Sequence, residues 1–262
     1  MEAENAMKTR WLERSAPYLI IVAFFLVWEI VCVVFSIKEF ILPRPTVILA
    51  SVFKYHDALA FHSLHTLFTT AVGFVAAVVG GIFLGVLVGS SRLLYVGLYP
   101  MLIGFNSVPK VAIVPILVIW VGIGTVPAII TAFITSFFPV TVNVATGLAT
   151  LEPELEDVLR TLGATKMEIL RKVGIPRTLP YLFASLKVVI TLAFVGSVIS
   201  ETIASNEGIG YLILTASARF DVPLVFAALL LVSVMGIGMY AIFAAIETRT
   251  TGWATQRVNG TT

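Results

Sequence analysis

Residues 157–176 read DVLRTLGATKMEILRKVGIP, and six of these twenty side chains are charged: Asp157, Arg160, Lys166, Glu168, Arg171 and Lys172. The chain around them is of the opposite character, with 58% of its 262 residues hydrophobic and only 12% charged. A helical pattern organises the stretch. Counting back to Thr150, the residues Leu151, Leu155, Val158, Leu159 and Leu162 recur at helical spacing and form one apolar stripe. Gly163 follows, where a left-handed helix cap favours glycine. Thr165 and Glu168 then supply a T-x-x-E capping box opening a second helix, with Ile169, Leu170 and Val173 on its apolar face. Gly174 and Pro176 are expected to end that helix, because proline has no N–H to continue it. Two short helices with this much charge, an apolar stripe and defined ends predict a docking element rather than a solvated loop.

The flanks set the environment in which that element works. A mean hydropathy of +1.01 goes with an apolar share above the roughly 45–50% of soluble domains. Too few polar side chains remain to cover a soluble core, so the class is integral membrane. Six stretches approach the ~20 apolar residues that a helix needs to cross a bilayer: 18–35, 67–89, 96–120, 127–148, 181–201 and 222–246. The first is longer than the apolar core of a signal peptide and lacks a small-x-small cleavage site after it, so it is read as an uncleaved span. The single cysteine, Cys32, excludes an internal disulfide and any CxxC site, and is expected to pack as a small hydrophobe.

Basic residues give an orientation. With the N-terminus inside, eleven of the 17 Lys and Arg fall in inner segments, four (Lys38, Arg44, Lys54, Arg219) in outer ones, and Lys110 and Lys187 within spans. This predicts both termini and the 150–177 loop on the cytoplasmic side. Between the first two spans, PRPTVILASVFKYHDALAFHSLH (43–65) is expected to hold an interfacial helix starting near Pro45. Its histidines, His56, His62 and His65, have no acid or thiol spaced to complete a metal site, so they are read as polar residues at a membrane surface. GIFLGVLVG (81–89) places Gly81, Gly85 and Gly89 on one face, which permits close approach of another helix.

Charges inside spans are candidates for a transport path. Lys187 is near enough to an inner end to snorkel. Counting 1.5 Å per residue from the inner ends puts Glu29 at about 16 Å, Lys110 at about 21 Å and Glu201 at about 30 Å. Depth alone therefore favours Glu29 over Glu201 as a partner for Lys110, which is either a structural ion pair or an attractor of anions. Pro100, Pro109 and Pro115 make the third span irregular, as tolerated where a helix lines a cavity. No G-x-x-x-x-G-K-[ST] phosphate cradle occurs, so ATP would be handled by another chain. A membrane-embedded enzyme would need a cluster such as HExxH or an intramembrane Ser/Lys pair, and neither is present. A secondary transporter would account for six spans and buried charges but not for the capped docking pair. Attachment to two spans argues against a nucleic-acid reader.

Residues 157–176 resemble the EAA loop of permease subunits of binding-protein-dependent ABC importers: Glu-Ala-Ala, three residues, Gly, nine residues, Ile, one residue, Leu-Pro. Asp157-Val158-Leu159 stand at the first three positions, Gly163 at the glycine, Val173 at the isoleucine and Ile175-Pro176 at the last pair. The spacing is kept, while the acid is shortened and the alanines are enlarged. NSVPKVAIVPILVIWVGIGT (106–125) is similar to the third span of the nitrate, sulfonate and taurine subfamily, and SNEGIGYLI (205–213) to its last outer loop.

The resemblance runs from the first span to the sixth. It implies an all-α, six-span, single-domain permease of the type I ABC importer architecture, in the bacterial inner membrane. Asp157, Leu159, Leu162, Gly163, Ala164, Thr165, Glu168 and Pro176 would couple to the ATPase as a helix seated in its groove, and Asn106, Lys110, Glu29 and Glu201 would belong to the path. The implied partners are two ABC ATPase subunits, a second copy of this chain, and a periplasmic or lipid-anchored solute-binding protein. ATP and Mg would act in the ATPase, with no cofactor or enzymatic step in this chain. Nucleotide-driven closure would rock the spans between inward-open and outward-open. The implied substrate is a small anion such as nitrate, a sulfonate or taurine; the alternative is a vitamin precursor or another small organic solute.

Overall fold

A computed structural model describes residues 2–149 and 153–255, with side chains at 15–149, 157–165 and 167–250. The described residues form helices and connecting turns, with no strand among them. The helices are α1 (Glu2–Val34), α2 (Pro45–Lys54), α3 (His56–Gly89), α4 (Arg92–Ser107), α5 (Val114–Val121), α6 (Thr125–Ala149), α7 (Pro153–Thr161), α8 (Lys166–Ile169), α9 (Ile175–Ala204), α10 (Ile209–Ala218) and α11 (Val222–Thr255). Backbone polar groups in hydrocarbon must pair within the segment itself, which is why an apolar chain of this kind is helical throughout.

Five helices are long and apolar enough to cross a membrane: Ser15–Val34, His56–Gly89, Thr125–Ala149, Met167–Ala204 and Val222–Thr250. The pair α4 and α5 makes a sixth if taken as one span, bent by 81°. The bend has a local cause. Pro109 denies an N–H to the last turn of α4, Lys110–Ile113 form one 3-10 turn, and Pro115 opens α5.

Two stretches differ from the sequence reading. The segment 43–65 is not one interfacial helix: it breaks at Tyr55, whose N–H bonds Ser51 and closes α2, and α3 begins at His56. At 34 residues α3 is about 51 Å long, so it extends well past the ~30 Å hydrocarbon core. The second correction concerns Gly174 and Pro176, which do not end a helix. Leu170–Gly174 widen into one π turn, in which the Ile175 N–H reaches back to Leu170 O, and the chain continues directly into α9. The wider turn accommodates a proline that has no N–H and would otherwise crowd the carbonyl four residues back.

The chain divides into two compact units, Met1–Leu59 with Ile213–Leu230, and Ala60–Leu212 with Leu231–Thr262. In the first, Glu29 of α1 accepts from both the N–H (3.1 Å) and the hydroxyl (2.8 Å) of Thr46, and so caps α2. Tyr55 donates to Asp221 (2.9 Å), which also accepts the Leu224 N–H and starts α11. Cys32 is buried.

The second unit holds the main core. Val140, Val144 and Leu148 of α6 pack with Leu186, Val189, Ile190 and Phe194 of α9, joined by Phe74 of α3 and Met239 of α11. The glycine face of α3 lies against α6. A methyl on Gly81 would sit 2.7 Å from Val140 Cβ, and one on Gly85 2.6 Å from Val144 Cβ. The Gly81, Gly85, Gly89 face therefore serves contact within the chain, where hydrogen at Cα lets two backbones approach.

Candidate functional site

The capped pair read from the sequence is present in atomic detail. At the end of α7 the Gly163 N–H bonds Arg160 O (2.9 Å) and the Ala164 N–H bonds Leu159 O (3.0 Å). With Gly163 at φ +85°, this is a Schellman cap, and its left-handed residue is the glycine. Two residues on, the Thr165 N–H donates to Glu168 Oε2 (3.0 Å) and the Glu168 N–H to Thr165 Oγ1 (3.3 Å), the reciprocal bonds of a capping box. Leu151 and the side chains of Leu155 and Lys166, part of the expected pattern, lie outside the described residues.

These caps shape a groove lined by Leu159, Leu162, Gly163, Ala164, Glu168, Ile169, Lys172 and Val173. Around it Val158 (55%), Leu162 (78%) and Met167 (61%) are left exposed, far from the apolar cores of α6 and α9 in chemistry if not in sequence. Ile169 is buried and Leu170 packs on the main core, so the second apolar face anchors the element while the first faces away. Asp157 and Thr165 are exposed, and Pro176 lies in the first turn of α9. The element is thus joined to α9, a helix of the main core, by a continuous run from Met167 to Ala204.

The intramembrane charges are not arranged as depth suggested. Lys110 Nζ donates to Asn106 Oδ1 (3.2 Å) and to the Asn106 backbone oxygen, placing a cation on the carbonyl end of α4. No carboxylate pairs with it among the described residues. Glu29 caps α2 with both of its carboxylate oxygens on Thr46. Lys187 does not simply snorkel. It forms an ion pair with Glu247 of α11 at 2.6 Å, tying α9 to α11.

Glu201 is fully buried. It accepts from Thr66 Oγ1 (2.8 Å), Thr69 Oγ1 (3.2 Å) and the Gly210 N–H (3.2 Å), and Thr69 lies 2.6 Å from Ser197 Oγ. His62 and His65 join the same cluster. His62 Nδ1 accepts from the Gly208 N–H (3.1 Å), and His65 lies 3.1 Å from Thr125 Oγ1 and 3.2 Å from Glu207. His56 is exposed beside Asp57.

Comparison with known proteins bears on what this assembly of parts is. The profile of a family described as "Binding-protein-dependent transport system inner membrane component" matches residues 77–252. The match spans the groove, the bent pair and, of the buried cluster, Glu201 and Gly210. The chain belongs to that family. A "Probable ABC transporter permease protein" of Haemophilus influenzae is 31% identical over 89% of this chain and 94% of its own length. The "Formylaminopyrimidine transport permease protein ThiX" of Halalkalibacterium halodurans is 29% identical over 90% of this chain and 95% of its own. The "Nitrate import permease protein NrtB" of Synechocystis is 28% identical over 88% and 87%. Among solved structures, a chain of the MetNI methionine ABC transporter superposes with a TM-score of 0.62 at 21% identity, over 79% of this chain and 98% of that one. The fold is that of a type I ABC importer permease, and the chain is a multi-pass inner membrane permease subunit.

In this permease the sequence reading missed three things: the capping role of Glu29, the Lys187–Glu247 pair, and the histidines' place beside Glu201. Only the last had a signal, since His62, His65, Thr66 and Thr69 recur on one side of a helix.

Proposed function

We propose that this permease is the membrane half of an ATP-driven importer, and that residues 157–176 seat in a groove of a separate ATP-binding subunit. The observation that carries the reading is the doubly capped groove, with Val158, Leu162 and Met167 exposed among charged neighbours. A free loop needs no such caps, whereas a surface presented to a partner does. Asp157, Leu159, Leu162, Gly163, Ala164, Thr165 and Glu168 form the contact, and Pro176 belongs to the joint that passes motion to α9. ATP and Mg act in that partner. Two copies of the chain work with two ATPases, since one groove engages one ATPase, and a solute-binding protein docks on the opposite face. Both termini then lie on the cytoplasmic side.

The path runs past the break between α4 and α5, where Lys110 and Asn106 stand. A cation at a broken span without a carboxylate partner suits a small anion such as nitrate or a sulfonate. The likeness to a formylaminopyrimidine permease supports a second reading, a vitamin precursor. What the cognate solute-binding protein binds decides between them.

The test of the coupling surface is Leu162→Glu. The side chain is 78% exposed, so the permease folds and inserts. The copurifying ATPase is lost and ATP-dependent uptake in proteoliposomes stops. Retention of both in the variant would refute the proposal.

A further inference from the structure

The start of α10 is held by α3, far from it in sequence, and by the end of α9. Three consecutive backbone N–H groups are taken by side chains: Gly208 by His62 Nδ1 (3.1 Å), Ile209 by Thr66 Oγ1 (2.9 Å) and Gly210 by Glu201 Oε2 (3.2 Å). The first turn of a helix leaves such groups unpaired, and a side chain at the N-cap normally takes one of them. Gly208 stands at that position and has none to offer. Its φ of +98° and its contact with the Glu201 carboxylate leave no room for a Cβ. A Cβ on Gly210 would fall on the Val198 carbonyl. The loop from α9 to α10 therefore takes its position from α3 and α9.

Glu201 can stay buried because the donors of α10 and the hydroxyls of Thr66 and Thr69 replace its hydration. No lysine or arginine pairs with it among the described residues. The His65 imidazole stands beside it, with Nδ1 at 3.8 Å from Oε1.

We infer that His62, Thr66 and Glu201 form an acid-sensitive latch that positions the loop between α9 and α10, with His62 as its titrating member. A histidine accepts a hydrogen bond at Nδ1 only when neutral, with its proton on Nε2. Protonation places an N–H on both ring nitrogens, and Nδ1 then faces the Gly208 N–H donor to donor. The groups facing His62 are Gly208 and Glu207 of the loop, Tyr211 of α10 (ring centroids 5.8 Å apart), and Phe61 and His65 of its own helix. Facing Glu201 are His65, Thr66 and Thr69 of α3, Gly210 of α10, and Ser197 through Thr69. Burial opposes a charge on His62, and the carboxylate of Glu207, 3.2 Å from His65, offsets part of that. The latch is closed while His62 is neutral and opens when it takes up a proton on acidification. That it reports the pH of the outer medium rests on the topology proposed above; the latch itself does not.

Hydrogen exchange on the full chain in lipid nanodiscs tests this, because it needs neither transport nor an ATPase. Protection of the amides of residues 208–210, corrected for the intrinsic rate at each pH, is compared at about pH 8 and about pH 5.5, on either side of the histidine range. Protection falls at least about five-fold on acidification, as expected for loss of one hydrogen bond. In His62→Asn, whose side-chain oxygen stands where Nδ1 did but does not titrate, protection is retained at both pH values. Glu207→Gln, a change at a half-exposed position, shifts the midpoint of the loss to lower pH. Unchanged protection in the wild-type chain overturns the proposal. A fall in His62→Asn parallel to wild type overturns the assignment to His62, as does a midpoint that Glu207→Gln leaves in place.

Discussion

Gly163 separates backbone strain from bulk in a way that few positions allow. It sits at φ +85°, yet a Cβ built on it would meet nothing within 4 Å. Substitution therefore costs only the left-handed conformation, about 1–2 kcal/mol for an ordinary L-residue and less for asparagine. For a chain of this length that corresponds to a fall in Tm of about 2–8 °C. A leucine pays the same backbone cost as an alanine, but it also adds bulk to the wall of a groove that Leu159, Ala164 and Val173 line. The series Gly163→Asn, Gly163→Ala and Gly163→Leu is thus expected to show similar, small losses of thermal stability in detergent. ATP-driven uptake in proteoliposomes should be near wild type for asparagine, reduced for alanine and abolished for leucine. Uptake near wild type in a well-expressed Gly163→Leu would refute the reasoning. So would equal loss in the asparagine and leucine variants, since strain alone would then explain the effect.

Three further outcomes are expected. Gly85→Ala should destabilise the permease by about 1–3 kcal/mol through overpacking against Val144, whereas Gly104→Ala, with open space around its Cα, should not; melting of the two variants side by side checks this. Glu201→Leu leaves the buried Gly210 N–H without its acceptor, while the Thr66 and Thr69 hydroxyls keep the His62 and Thr66 carbonyls, and should cost about 1–3 kcal/mol; a Tm equal to wild type would contradict the hydrogen bonding described for it. Lys110→Met should reduce uptake of an anionic substrate several-fold more than it lowers Tm, because among the described residues Lys110 has no carboxylate partner to strand; a loss of stability with uptake preserved would return Lys110 to a structural role.

The sequence by itself determined the membrane class and the local shape of the capped helix pair at residues 157–176. Apolar excess over twenty-residue stretches leaves helix as the only way to pair backbone groups in lipid. The Gly163 turn and the Thr165–Glu168 box are written in contacts no more than five residues long, so a linear reading reaches them. Tertiary structure decided the rest. Whether Pro176 ends a helix or is absorbed by a π turn depends on what Leu170 gains by packing on the core, which no local pattern states. The partner of the glycine face on α3 depends on how α6 is rotated against it. Depth along a span suggested Glu29 for Lys110, but a carboxylate bonds whichever donors the fold brings to it, and those were the N-terminus of α2 for Glu29 and, across a separation of 135 residues, Thr66 for Glu201. Such long-range pairings follow from the rotation of each helix about its axis, which the packing of whole faces sets and the spacing of single residues does not.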